Sequence, residues 1–301
     1  MLADEKVKKI GIDLKSAKIS LNRLGVELNG LHFDIGVAAY LLNPGGRSYG
    51  LEDLCREWLD TTLPGYETVV GSGKGRISFL EVGQEIVGEF SGNRLAAILS
   101  LFRKLTPALD DQGIRSLFEG LEMPLLKVLS EMELFGIKID SIMFAEMSQN
   151  LTRELTLLRD DIYRISGSQF NLNSTKQLKK ILFEDLGLPV IKKTKTGPST
   201  DSSVLEELAI QGYDIARLML EYRELEKLRS TYVDALPKLV NARTDRIHTR
   251  FNQTVAATGR LSSSHPNLQN IPSRTEMGRG LRKAFIAESG FIFYGADYSQ
   301  I

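Results

Sequence analysis

Residues 258–301, TGRLSSSHPNLQNIPSRTEMGRGLRKAFIAESGFIFYGADYSQI, decide how the rest of the chain is read. They place a polar, glycine-punctuated loop, a basic segment and an apolar run ending in a carboxylate one after another. Phe291, Ile292, Phe293, Tyr294, Gly295 and Ala296 lie between Gly290 and Asp297, which predicts a buried strand with Asp297 at its mouth. A carboxylate so placed can hold Mg²⁺, a cation that takes hard oxygen ligands and can steady the attacking and leaving oxygens of a phosphoryl transfer. A lone Asp at such a boundary more often only ends a strand and starts a turn. What lies upstream therefore decides the reading.

Across residues 241–301, seven Arg and one Lys stand against four acids, whereas the whole chain balances 38 basic with 38 acidic residues. Positive charge is thus concentrated beside the candidate metal site, where a polyanion could be held. Asn252, Gln253, Asn267, Gln269 and Asn270 are interleaved with it and can donate to minor-groove base acceptors or sugars. A solvated basic face with turn-forming Asn and Ser is the plainer alternative.

The strings ATGRLSSSHPNLQNIPSR (257–274), GRGLRKAFIA (278–287) and ADYSQI (296–301) closely resemble the family A (bacterial DNA polymerase I-like) DNA polymerases, most of all the Thermus type, in the N-terminal part of their large fragment. The resemblance implies a palm whose first metal-binding carboxylate is Asp297, with the backbone carbonyl of Tyr298 as a further ligand. It implies that Arg260 reaches the primer-terminal minor groove, that Asn267, Gln269, Asn270 and Arg274 meet the duplex near its growing end, and that Tyr298, Ser299 and Gln300 lie against the incoming nucleotide and template. In the family the 3′-hydroxyl attacks the α-phosphate of a deoxynucleoside triphosphate between two Mg²⁺ ions and pyrophosphate leaves. Positioning and charge neutralisation carry most of that chemistry.

A chain of 301 residues, 42% hydrophobic and 25% charged, has the ordinary make-up of a soluble globular protein of two or three domains. The single Cys55 forbids an internal disulfide and fits a reducing compartment. No apolar run approaches 18 residues and no charged-then-apolar leader is visible, so a cytoplasmic protein without a membrane partner is expected.

Residues 1–105 read as a short strand near Ile10, a helix closed by Gly25, a helix over 33–42, a turn at Asn43-Pro44-Gly45-Gly46 and a helix over 51–59 with Trp58 in the core. This region resembles the C-terminal part of the family's 3′–5′ exonuclease domain, an RNase H-like α/β fold. Where active members close a motif with a carboxylate, the sequence Asp13-Leu14-Lys15-Ser16-Ala17 ends in Ala17. Where they carry Tyr and, four residues on, Asp, this chain has Phe90 and Arg94. A two-metal nuclease needs its carboxylates. The resemblance therefore implies a degenerate domain with no exonuclease metal site, in which Asp34 is a helix cap or core-edge residue.

Residues 106–140 read as the connection to the palm and 141–240 as a helical thumb. In the connection, the pattern predicts a helix over 123–135 with apolar residues at Leu125, Leu129 and Met132, then a strand at Ile137-Lys138-Ile139. Phe144, Met147, Leu151, Leu155, Leu158, Ile162 and Ile165 step by three or four up to Gly167, the clearest amphipathic helix in the chain. Ser174-Thr175-Lys176-Gln177 reads as a capping box whose helix N-terminus, flanked by Asn171, Asn173 and Ser174, could seat a DNA phosphate; a capped surface helix with no ligand is the commoner case. Residues 192–198 are a basic loop. Ile215, Leu218, Met219, Tyr222, Leu225, Leu228 and Tyr232 trace one long helix. Arg223 and Lys227 lie off its seam, where the family meets the duplex backbone, although i,i+4 surface pairing would explain them too.

The fold expected is thus an α/β RNase H-like exonuclease domain, degenerate, followed by a helical thumb and, over 241–301, the start of an α+β palm. The function expected is that of a DNA-directed DNA polymerase fragment gripping template–primer DNA and deoxynucleoside triphosphates, with Mg²⁺ as cofactor. The sequence stops before the family's fingers helix and second carboxylate, so a second chain or a longer polypeptide is expected to complete the site. A non-catalytic DNA-binding module and a 3′–5′ nuclease or repair enzyme are the rival readings.

Overall fold

The computed structural model describes residues 1–195 and 197–299, so the predicted nucleotide contact Gln300 lies outside the described residues. The chain divides into two compact units, Met1–Gly136 with His248–Asn270, and Ile137–Ile247 with Ile271–Ile301.

In the first unit, β1 (Lys9–Gly11), α1 (Leu14–Arg23) and β2 (Leu31–Asp34) make a parallel pair joined by a helical crossover, with Ile10 opposite Phe33 and Gly11 opposite Asp34. There follow α2 (Ile35–Leu42), α3 (Leu51–Leu59), α4 (Glu67–Val70), α5 (Gln84–Asp111), α6 (Arg115–Leu117) and α7 (Met123–Phe135). The helix expected over 33–42 begins two residues late, because β1 draws Phe33 and Asp34 into the ladder and Asp34 then caps α2. Phe33, Ile35, Leu54, Leu101, Leu105, Leu109, Phe118 and Leu126 share one core, with Trp58 packed at its edge. The boundary drawn at 105 falls inside α5, whose buried Leu101, Leu105 and Leu109 step by four into that core. The buried face of α7 is Met123, Leu126, Leu129, Ser130 and Glu133, while Leu125 is partly covered and Met132 exposed.

Asp34 ties these elements together. Its buried carboxylate accepts the backbone N–H of Leu14 at 2.7 Å, of Gly36 at 2.9 Å and of Val37 at 3.2 Å. Burial outweighs those three donors and raises its pKa to about 6. A carboxyl that binds its proton more tightly when folded stabilises the protein below its ordinary value near 4 and loses that contribution as pH rises toward 6. Stability is therefore expected to fall over that interval, and Asp34→Asn to flatten the fall, as read by denaturant midpoints at pH 4, 5 and 6. The Asn variant offers no second acceptor oxygen, so it is also expected to be less stable at pH 5 by about 1–2 kcal/mol.

In the second unit, β3 (Lys138–Ile139) leads into α8 (Ser141–Ser166), capped by Asp140, which accepts from Ile142 and Met143 N–H at 3.0 Å, and ended by Gly167 at φ 67°. Phe144, Leu151, Leu155, Leu158 and Ile162 are buried, as their spacing predicts. Next come α9 (Thr175–Lys179), continued as a π-helical turn over Lys180–Asp185, then β4 (Lys193–Thr194), β5 (Gly197–Pro198), α10 (Ser202–Ile210) and α11 (Asp214–Leu228). Within the stretch expected as a basic loop, Lys193 pairs antiparallel with Pro198 and Thr194 with Gly197. Helices α8, α10 and α11 pack together on Leu205, Leu208, Ile215, Leu218, Met219, Leu225 and Leu228.

The chain then returns to the first unit through the hairpin β6 (Arg250–Asn252) and β7 (Ser262–Ser264), and ends in the second with α12 (Glu276–Lys283) and β8 (Phe285–Ile286). β8 pairs with β3, Ile139 opposite Phe285. The buried strand predicted over 291–296 is not formed. Those residues are irregular and exposed, and no strand among the described residues lies beside them. No helix among the described residues is long and apolar enough to cross a membrane.

Candidate nucleic-acid interface and metal centre

The segment 248–270 contains Arg250 and Arg260, His248 and His265, and no acid. Its hairpin sets Arg250 opposite Ser264, Phe251 opposite Ser263 and Asn252 opposite Ser262. Short hydroxyl side chains fill the space beneath the turn. Thr249 Oγ1 donates to the Pro266 carbonyl at 2.7 Å, and Ser263 Oγ accepts the Leu268 N–H at 2.8 Å. Asn252 Nδ2 donates to Ser264 Oγ at 3.1 Å and to Ser262 Oγ at 3.3 Å. The loop after β7 includes a cis His265–Pro266 bond.

The same unit holds this hairpin at three points. At Phe251 both backbone groups are bound: Glu133 Oε1 accepts the N–H at 2.8 Å and Lys15 Nζ donates to the carbonyl at 2.7 Å. Lys15 and Glu133 also form a buried ion pair with each other. Gln253 Nε2 donates to the Glu122 carboxylate at 2.6 Å, and Tyr40 Oη to the Ala256 carbonyl at 2.7 Å. The sequence read Gln253 as a base-edge donor; buried and bound to Glu122, it is an internal brace. Asn252 is likewise engaged within the hairpin.

Arg260, Asn267, Gln269 and Asn270 are exposed, and Arg260 has no ion-pair partner among the described residues. Asn267 Oδ1 accepts the Gln269 N–H at 3.0 Å, and Gln269 Nε2 donates to the Leu261 carbonyl at 3.1 Å. These bonds fix the turn that carries both amides.

In the second unit, Arg274 is exposed just before α12, its carbonyl accepting from Arg279 Nη1 at 2.6 Å. The helix itself starts with Thr275 capping the Gly278 N–H at 3.1 Å, and a Cβ on Gly278 would stand 2.7 Å from the Pro272 carbonyl oxygen, so only glycine fits that turn. The capping box expected at residue 174 is half formed. Ser174 Oγ accepts the Gln177 N–H at 3.4 Å, but Gln177 Oε1 accepts from Asn171 N, 2.6 Å away, in place of Ser174 N. Asn171 Oδ1 accepts the Asn173 N–H at 3.0 Å. These groups satisfy one another locally, and α9 has only five residues. Arg223 lies off the buried seam of α11 but is not free in solvent. Half-buried, it donates to the Thr200 carbonyl beside a cavity of about 550 Å³ lined also by Asn173, Lys179 and Asp201. Burial pulls its pKa down. Lys227 is exposed.

Asp297, Tyr298 and Ser299 are exposed in the irregular stretch after residue 290. A carboxylate and a backbone carbonyl are the hard oxygen donors that Mg²⁺ takes, and they would fill two of about six positions. Among the described residues no three His, Cys, Asp or Glu are grouped to hold a metal ion. In the exonuclease-like region Ala17 lies on α1, while Arg94 pairs with Glu52 at 2.6 Å and covers the Phe90 ring at 5.0 Å.

Lys15 and Glu133 were not predicted to act together. The signal was a charged residue on the buried α7 seam, which demands a partner, but the sequence does not say which.

A family model described as DNA polymerase family A matches residues 141–301, and one described as DNA polymerase I, ribonuclease H-like domain, matches residues 1–101. DNA polymerase I of Bacillus subtilis (strain 168) is 42% identical over 99% of this chain and 34% of its own length. The thermostable DNA polymerase I of Thermus filiformis is 48% identical over 73% of the chain and 27% of its own. A solved structure described as the POL domain of Pol1 from M. smegmatis, in complex with DNA primer-template and dNTP, superposes with a TM-score of 0.82 at 37% identity, covering 97% of this chain and 47% of that one. The chain spans about a third of the length of the curated relatives it matches. With the polymerase model covering more than half of its residues, the chain belongs to DNA polymerase family A.

Proposed function

We propose that this chain is the template–primer-gripping part of a DNA-directed DNA polymerase and contributes one metal-binding carboxylate to nucleotidyl transfer. The observation that carries the reading is the acid-free hairpin segment whose exposed side chains include Arg260, Asn267, Gln269 and Asn270. A cation in the β6–β7 connection and three amides on the loop after β7 suit a minor groove, where acceptors recur on every base pair and little sequence is read. Arg274 and Lys227 add positive charge for the backbone. Asp297 with the Tyr298 carbonyl would hold Mg²⁺, which when bound neutralises charge on the triphosphate and the attacking oxygen. Tyr298 and Ser299 would border the incoming nucleotide. The exonuclease-like region would not proofread, a reading supported by the ion-paired Arg94 and by the Asp34 carboxylate being engaged with three backbone N–H groups.

The test is binding of a fluorescent primer–template by this chain across a salt series. Affinity is expected to fall steeply with salt, and Arg260→Ala to weaken it roughly tenfold with a shallower salt slope. The same chain supplemented with the remainder of a family A polymerase domain is expected to extend the primer with Mg²⁺. Binding without extension in that mixture would remove the catalytic part of the proposal.

A further inference from the structure

We infer that Lys15 and Glu133 are positioning residues for the DNA-facing hairpin, so that α1 of the exonuclease-like region together with α7 sets the geometry of the primer grip. The inference rests on the DNA reading above. Its observation is the double hold on Phe251, in which the buried ion pair takes both the N–H and the carbonyl of one β6 residue. Phe251 lies midway along β6 and pairs with Ser263, whose hydroxyl fixes the Leu268 N–H between Asn267 and Gln269. A displacement at Phe251 is therefore carried through Ser263 to the turn that holds both amides. Lys15 reaches this point from α1 and Glu133 from α7. Charge-assisted hydrogen bonds in a buried setting are strong and directional, which suits holding a strand in place. His248 Nδ1 on the Glu133 carbonyl at 2.8 Å fixes the same end of α7 to the start of the segment.

The test compares the unaltered chain with Lys15→Met/Glu133→Gln, which removes both charges while keeping similar volume and one acceptor for the Phe251 N–H. Lys15→Arg keeps the charge and the donors. Leu54→Ala, in the core of the same unit, destabilises without touching the hairpin. Amide exchange over residues 249–268 and the Kd for primer–template are measured well below the melting temperature of every variant. The double variant is expected to exchange faster across that segment and to bind about tenfold more weakly, as for a lost charge-assisted hydrogen bond. Lys15→Arg is expected to keep most of the affinity of the unaltered chain, and Leu54→Ala to lower the melting temperature with Kd unchanged. Unaltered exchange in the double variant, or faster exchange with unaltered Kd, overturns the inference. Leu54→Ala weakening Kd as much as the double variant overturns it too, in favour of a purely structural role. Failure of the unaltered chain to bind primer–template is seen before any variant is made and overturns the DNA reading itself.

Discussion

Replacing Asp297 with Ala is expected to lower Mg²⁺-dependent primer extension by about three orders of magnitude when this chain is combined with the remainder of a family A polymerase domain. Asp297 is exposed in an irregular stretch, so its loss opens no cavity and leaves the melting temperature where it was. In the proposed role its carboxylate would face DNA, itself an anion. Without a cation between them, removing it leaves primer–template affinity unchanged or slightly raised. A large loss of extension with retained affinity is thus the signature of a metal ligand. Single-turnover extension and primer–template titrations on the same preparation read the two quantities. A parallel fall of affinity and extension would mark Asp297 as part of the grip and sink the metal assignment.

Glu133→Ala is expected to destabilise the first unit by about 3–5 kcal/mol, the range for breaking one side of a buried ion pair. The side chains of Lys15 and Glu133 are each only 8% exposed, so the ammonium left behind cannot recover its hydration. The Phe251 N–H also loses its acceptor. The loss is measured from urea midpoints at constant slope. Adding Lys15→Met to Glu133→Ala should return part of it, because removing both charges avoids the unpaired one. A cost below about 1 kcal/mol for Glu133→Ala would show that water reaches the pair.

How much of this was legible in the sequence follows the range of the interactions. Helix α8 was readable from end to end, since its cap, its glycine stop and its buried stripe all lie within one segment. Arg260, Asn267 and Gln269 were given duplex contacts by family resemblance and not by any local pattern; all three are exposed. Asp34 was read as a helix cap or core-edge residue, and it is the buried cap of α2. The Lys15–Glu133 hold was not legible, because its two partners lie on α1 and α7 and its target on β6, and no periodicity links them. α12 escaped notice because Gly278 and Gly280 lower its intrinsic helicity, while Thr275 as cap and Leu281 as buried anchor stabilise it. The run after Gly290 misled for the opposite reason: its apolar pattern states that it prefers burial, and burial requires a surface that pattern alone does not supply.

That run has a practical consequence for anyone handling the polypeptide. Phe291, Ile292, Phe293 and Tyr294 are exposed by 66%, 87%, 62% and 89%. Four adjacent side chains of high β-propensity, uncharged and free of proline, make an aggregation-prone segment flanked only by Glu288 and Asp297 as gatekeepers. Light scattering of the 301-residue chain should show concentration-dependent self-association, with a net charge of zero giving no long-range repulsion to oppose it. Ile292→Lys should raise its soluble yield while leaving the melting temperature unchanged.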